Sequence, residues 1–492
     1  MKNKFLSFLH KENNRTYIEN GAAALKTTTS SLLDLFGSIG SLRTRDEAEI
    51  ERLFSMAFSS DQLLATKMAF YARNIRGGLG ERRTFKVILK YLAQLSPETV
   101  IKNFDAIALF GRYDDFYALV DTPVEKEMWH YLKNQLDLDL MNYEENEPVS
   151  LLAKWLKSVN ASSSETKRLG KLTATAFGYS EKNYRKILAK LRSYIDLTES
   201  KMSRNAWTDI VYSNVPSRAM SVYRNAFKAH DEEGFNAYIA ALEKGDTKIN
   251  ALALYPYDIM EKLGLTWHSK YFSFLNTDPI LEAQWKALPN YAQSEHDILV
   301  MADTSGSMCG RPLCSSIGLA LYFAERNKGA FKNVFMTFSN EPCLIELKGN
   351  TLYDRIKCIP AIVENTNLEA AFNLILKVAI RNKLKANELP KSLVVITDME
   401  FDSGTTSMSD WTFYDSLVHD FTSHGYQIPN VIFWNVNSRH DIFQVTSHYK
   451  GVQMASGHSP AVFKSILDNI GKTPYEAMIH VLNDPLYDCI SL

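Results

Sequence analysis

The sequence predicts a multidomain chain: an all-α helical-repeat region over residues 1–285, then an α/β doubly wound, Rossmann-like domain over 290–492. Three observations predict it. Apolar residues in roughly the first 270 positions recur at helical spacing, with no strong strand alternation. Near residue 290 short β-branched or aromatic runs begin to alternate with helices. The first of those runs, Ile298-Leu299-Val300-Met301, leads straight into a polar loop, Asp303-Thr304-Ser305-Gly306-Ser307.

In the first part, Leu63, Met68, Tyr71 and Ile75 share a helical spacing, as do Phe85, Ile88, Leu89 and Leu92, and Val100, Ile101, Phe104 and Ala108. Arg76-Gly77-Gly78-Leu79-Gly80, Leu95-Ser96-Pro97 and Phe110-Gly111-Arg112 punctuate them. Ser96 is expected to cap a helix whose first position is Pro97. Many helices of about 12–18 residues with short joints suggest an α-solenoid, although no strict repeat period is visible.

In the second part, strands are expected at 297–303, 392–397 and 431–436, with a strand pair at 333–338 and 343–347. Helices are expected at 313–326, 368–384, 411–423 and 462–467. This order implies a mostly parallel sheet with helices on both faces. Asn276-Thr277-Asp278-Pro279 and Pro289-Asn290 suit the boundary.

Composition is that of a globular protein: 492 residues, 46% hydrophobic, 23% charged, net charge −1. The five cysteines show no metal-type spacing and read as free thiols of a reducing cytoplasm. Residues 1–14 look like neither a signal peptide nor an anchor, and no run approaches the ~20 apolar residues that span a bilayer. No membrane partner is expected, and the expected location is cytoplasmic.

The loop Asp303–Ser307 places one carboxylate and two hydroxyls on a short turn after a buried strand, and these are hard ligands for magnesium. Ligand crevices of open α/β sheets lie beyond the carboxyl ends of strands. Thr366, before the helix at Leu368, offers a hydroxyl, and Asp398, after the strand ending at Thr397, a carboxylate. Asp303, Ser305, Ser307, Thr366 and Asp398 are therefore the candidate ligands of Mg2+ or another divalent cation. Each piece also has a plain structural reading as a helix or loop cap. With these three loops, residues 296–470 resemble a von Willebrand factor A domain with a metal-ion-dependent adhesion site. That resemblance implies magnesium-dependent ligand binding rather than catalysis.

Residues 151–228 hold fifteen Lys/Arg against five acids, which leaves the rest of the chain net acidic. Trp155, Phe177, Tyr179, Tyr184, Tyr194, Trp207, Tyr212 and Tyr223 interleave with them. Basic grooves with aromatic platforms hold single-stranded nucleic acid. The candidates for facing RNA are Lys167, Arg168, Lys171, Lys182, Arg185, Lys186 and Arg204. A second cluster, Arg73, Arg76, Arg82, Arg83 and Lys86, flanks Gly77-Gly78-Leu79-Gly80, which lacks the ending of a phosphate loop.

A basic helical part followed by such an α/β part resembles the Ro autoantigen family, which joins the HEAT-like TROVE module to a von Willebrand A domain. A family of uncharacterised Ro-like proteins is closer still. The carriers are residues 73–82, Gly111-Arg112-Tyr113-Asp114-Asp115, Tyr184-Arg185-Lys186, Val215-Pro216-Ser217 and Ser456-Gly457-His458-Ser459-Pro460. The resemblance implies a ribonucleoprotein component that binds small noncoding or single-stranded RNA. A protein-binding adaptor, whose metal site clasps a partner's acidic residue, is the alternative. An enzyme is not expected: there is no nucleophile elbow and no H-E-x-x-H, and His296, His419, His424, His440, His448 and His458 are scattered.

Overall fold

The structure is a computed structural model that describes residues 9, 12–17, 23–268, 271–274, 278–292, 297–337, 341–360, 367–401 and 413–492. It has a helical N-terminal region and a C-terminal mixed sheet. The chain divides into two compact units, neither of them one continuous stretch. One comprises 1–65, 76–81 and 251–484, and the other 66–75, 82–250 and 485–492.

The second unit is helical. Its longer helices include Arg83–Leu95, Glu125–Glu144, Ser164–Ala176, Glu181–Tyr194, Ser217–His230 and Glu232–Lys244. Each is amphipathic in the expected way. Glu181–Tyr194 buries Tyr184, Leu188 and Leu191, which leaves Lys182, Arg185 and Lys186 outside. Pro97 starts its helix as expected, but the Ser96 hydroxyl meets the Thr99 hydroxyl at 2.8 Å and caps no backbone N–H. Residues 485–492 return to this unit. Tyr487 stacks on Phe110 and accepts a hydrogen bond from Asn74 at 3.1 Å, while Asn103 and Ser491 bond reciprocally.

The first unit is built on a six-stranded sheet. In chain order its strands are β1 (Ile298–Ala302), β2 (Val334–Thr337), β3 (Cys343–Glu346), β4 (Ser392–Thr397), β5 (Asn430–Asn435) and β6 (Val452–Ser456). The spatial order is β3-β2-β1-β4-β5-β6, with only β2–β3 antiparallel. β1, β4 and β6 are buried at every position, as expected for strands covered on both faces. β6 and the helix Pro474–Leu482 were not among the expected elements. The expected helix at 411–423 is seen as Phe413–Ser423, and residues 411 and 412 lie outside the described residues.

Segments from either side of the helical unit complete this one. Helix Ser31–Ser38 lies on β6, with the Gly40 N–H donating to Ser456 Oγ at 3.0 Å. A Cβ at Gly40 would stand 2.6 Å from the Ser456 carbonyl oxygen, so the approach requires glycine. Gly80 has a positive φ, and a Cβ there would meet the Tyr255 hydroxyl at 2.2 Å. Trp285 donates to Glu325 at 2.8 Å, which ties helix Pro279–Lys286 to helix Arg311–Arg326.

Just beyond β6, buried His458 shares a 2.6 Å hydrogen bond with Ser315 of that same helix. The bond fixes the helix that follows the Asp303–Ser307 loop. Burial, and then Arg43 and Arg311 nearby, hold the imidazole well below its ordinary 6.5. A depressed folded pKa makes this stability fully present above pH 6.5 and lost as pH falls below it. Urea unfolding at stepwise lower pH should lose about 1.4 kcal/mol per pH unit more in the wild type than in His458→Asn. Parallel pH profiles would show that His458 is not held neutral.

Candidate functional site

β1 and β4 are parallel neighbours, with Ala302 opposite Ile396. Each is followed by a carboxylate, so the ladder brings Asp303 and Asp398 together. This is also where the strand order reverses, the usual place for a crevice. The Asp303 N–H donates to the Ile396 carbonyl at 2.9 Å, which fixes the start of the loop. Asp303 accepts from the Ser305 N–H at 2.9 Å and from the Thr397 hydroxyl at 2.7 Å. The Ser305 and Ser307 hydroxyls lie 3.0 Å apart, and Ser307 is exposed. Asp398 accepts from Arg439 at 3.0 Å.

Burial, and then repulsion from Asp398, raise the Asp303 pKa. Burial raises that of Asp398 as well, against the pull of Arg439 and a hydrogen bond from Ser307. Two buried carboxyls that repel each other, flanked by two hydroxyls, are a donor set that a hard divalent cation would relieve. Thr366 lies outside the described residues. The described helix after it, Leu368–Asn382, is capped by Asn367, which accepts from the Ala370 N–H at 2.9 Å. Among the described residues no cluster of three or more His, Cys, Asp and Glu could hold a metal, so a cation here would rely on hydroxyl oxygens.

The seven basic candidates of the helical unit are all exposed. They differ in their partners. Arg168 forks Glu165 with two bonds of 2.8 Å, and Lys171 pairs with Glu181 at 3.1 Å. Arg204 reaches the Ser193 hydroxyl at 3.4 Å. Lys167 lies on the same helix as Arg168. Lys182, Arg185 and Lys186 join no ion pair among the described residues, and they line a groove of about 520 Å³.

A second cleft of about 870 Å³ shares Ser158, Ala189 and Arg192 with that groove. It is lined by Arg82, Arg112, Lys154, Lys157, Arg192 and Arg204, with Asp114 and Glu199 as its acids. Arg112 forks Asp114 at 2.9 and 3.1 Å and lies over Trp155, 3.9 Å from the ring centroid. Arg82 reaches Asp114 at 2.9 Å. Lys86, from the same expected basic cluster, donates to the Asp114 carbonyl at 3.2 Å. Burial is the largest influence on the Asp114 carboxyl and pushes its pKa up, but four cations, Lys86, Arg112, Arg82 and Lys157, together hold it below its ordinary value. Except for Arg204, the cations of this cleft were missed as site residues. The visible signal was Arg112 beside Asp114-Asp115, but only the fold joins it to residues 154–157.

A family profile described as a domain of unknown function (DUF2828) matches residues 18–168 and 149–294, together more than half of the chain. A second, described as a domain of unknown function (DUF7788), matches 297–483. Uncharacterized protein L728 of Acanthamoeba polyphaga mimivirus is 27% identical over 511 residues, 95% of this chain and 87% of that protein. The crystal structure of the Deinococcus radiodurans RO (RSR) protein superposes on 88% of this chain and 93% of its own. Its TM-score is 0.43 at 15% identity, too loose a likeness to carry an assignment.

The metal reading has a direct check. Mg2+ at a hundred times its Kd should stabilise the protein by about 2.7 kcal/mol, read as a rise in the thermal midpoint. Asp303→Asn should abolish that rise. In chelator the same variant should be at least as stable as the wild type, because one of two repelling charges is gone. A wild type indifferent to Mg2+, Mn2+ and Ca2+ would leave the loops a purely structural turn.

Proposed function

For this chain, which belongs to the DUF2828 family, we propose the role of an RNA-binding, Ro-like ribonucleoprotein component that takes up single-stranded or small noncoding RNA. The observation that carries the reading is the pair of adjoining clefts in the helical unit. Their walls hold far more cations than carboxylates. Phosphates are the commonest biological match for such a surface, and single strands follow basic grooves. Binding rather than catalysis is the inferred activity.

The sheet order β3-β2-β1-β4-β5-β6 with one antiparallel edge strand supports reading the other unit as a von Willebrand A-type domain. In that reading Asp303, Ser305 and Ser307 hold Mg2+ directly, Thr366 joins them, and Asp398 takes part directly or through water. The exposed Ser307 hydroxyl favours a second role. An ion held there keeps a position open for an acidic side chain of a partner protein, which would make the chain an adaptor.

Reversing Lys182, Arg185 and Lys186 to Glu should weaken binding of single-stranded RNA across sequences. The slope of log K against log salt should flatten by about 2, near 0.7 for each phosphate that is no longer neutralised. Filter binding at several salt concentrations reads both. A folded triple variant with unchanged affinity and slope would remove this helix from the interface. Protein capture that needs Mg2+ and resists salt would favour the adaptor.

A further inference from the structure

The two clefts are built differently. The groove presents exposed side chains of one helix face, Lys182, Arg185 and Lys186. The larger cleft is pre-organised. Its segment 153–158 is pinned by Arg192, which donates to the Ala153 carbonyl at 2.8 Å, the Leu156 carbonyl at 2.7 Å and the Ser158 hydroxyl at 3.0 Å. The backbone of Lys157 is held from both sides. Its N–H donates to the Tyr117 hydroxyl at 3.0 Å, and its carbonyl accepts from the buried Tyr184 hydroxyl at 2.9 Å. Both of these backbone anchors are uncharged hydroxyls, so neither offsets the charge of Lys157.

Opposite that segment, Arg82 and Arg112 converge on the one carboxylate of Asp114. Lys86 also lies 3.8 Å from it. Lys86 is 3.5 Å from Asp115 as well, the partner of Arg73. Two carboxylates thus serve Arg73, Arg82, Lys86 and Arg112, with Lys157 on the same cleft wall, so cations outnumber acids. Burial first, helped by neighbouring cations and opposed by Asp114, lowers the pKa of both Arg112 and Lys157. Such crowding is unfavourable in the unliganded protein and is relieved by a second anion. A terminal phosphate carries close to two charges at neutral pH and three strong acceptor oxygens. A phosphodiester within a strand carries one charge.

We propose that this cleft binds a terminal phosphate monoester of an RNA strand, and that the strand leaves across Ser158 and Ala189 along the groove of Lys182, Arg185 and Lys186. The proposal rests on the RNA-binding reading and adds to it which part of the strand is held where. Arg82 and Lys157 take the phosphate. Arg112, already fixed by Asp114 and Trp155, positions the cluster.

The test uses the full-length protein and short oligouridylates with a 5′-phosphate, a 3′-phosphate or two hydroxyl ends, each labelled at a position away from the end compared. Fluorescence anisotropy should show one phosphorylated form binding about tenfold tighter than the hydroxyl-ended strand. Uridine monophosphate should compete, and uridine should not. Arg82→Gln with Lys157→Gln, checked for folding by circular dichroism, should bring the affinity ratio of phosphorylated to hydroxyl-ended strands to one, whatever loss the two strands share. The Lys182/Arg185/Lys186 reversal should weaken both strands and keep their ratio. Equal affinity for all three ends overturns the terminal-phosphate site and leaves RNA binding standing. Binding of uridine monophosphate with no oligonucleotide binding would mark a free-nucleotide site and overturn both. Absence of all binding overturns both as well.

Discussion

Two adjacent carboxylates, Asp114 and Asp115, on one short helical turn organise the helical unit. Asp115 turns inward. It receives Arg73 Nε at 2.7 Å, and the two side chains are 0% and 2% exposed respectively. It also accepts the Arg112 N–H at 3.0 Å. A buried pair of this kind is weak evidence for net stability, since desolvation offsets the attraction. Its effect is geometric. It locks helix Gln62–Arg73 to the turn Tyr113–Leu119, and so sets where Asp114 points. Asp114 faces the cleft and gathers Arg82, Arg112 and Lys86. The position of the basic wall follows from a charge pair that never meets solvent.

The sheet unit solves the opposite problem. Its two candidate carboxyls, Asp303 and Asp398, come from neighbouring strands, and Arg439 beside Asp398 is the cation that counters them among the described residues. The outcome is visible in the directions of titration. Asp114 is held down by cations against its burial, whereas burial, and for Asp303 then the nearby Asp398, pushes both sheet carboxyls up. The same residue type is thus in anion-seeking company in one unit and cation-seeking company in the other.

Much of this was legible in the sequence, and the failures have physical causes. The buried runs of β1 and β4 announced themselves through consecutive apolar, β-branched residues, and the loops after them named Asp303 and Asp398. β6 escaped because Val452-Gln453-Met454-Ala455-Ser456 has little β character, and the segments packed around it make it a strand. The return of residues 485–492 escaped because docking of Tyr487 on Phe110 is a long-range event that no local window contains. The larger cleft escaped for the same reason. Arg82 and Arg112 lie tens of residues before Lys157, and counting charge along residues 151–228 does not show which of its cations the fold brings to meet them.

Density and availability of charge are different quantities, and the anchors of each cation separate them. Arg168 and Lys171 stand in the densest basic stretch, yet each faces a carboxylate, Glu165 and Glu181. Exposed pairs of this kind contribute little stability, but they do cancel field. Arg192 and the backbone of Lys157 are held by carbonyls and hydroxyls instead. A neutral acceptor fixes a cation without spending its charge, so the field survives in the cleft while the geometry stays rigid. Pre-organised donors aimed at one place bind an anion with less ordering cost than mobile lysines on a helix face. Within the same basic stretch, usable positive charge therefore sits where a cation is held by uncharged partners, as at Lys157 and Arg192, and not where it faces a carboxylate, as at Arg168 and Lys171.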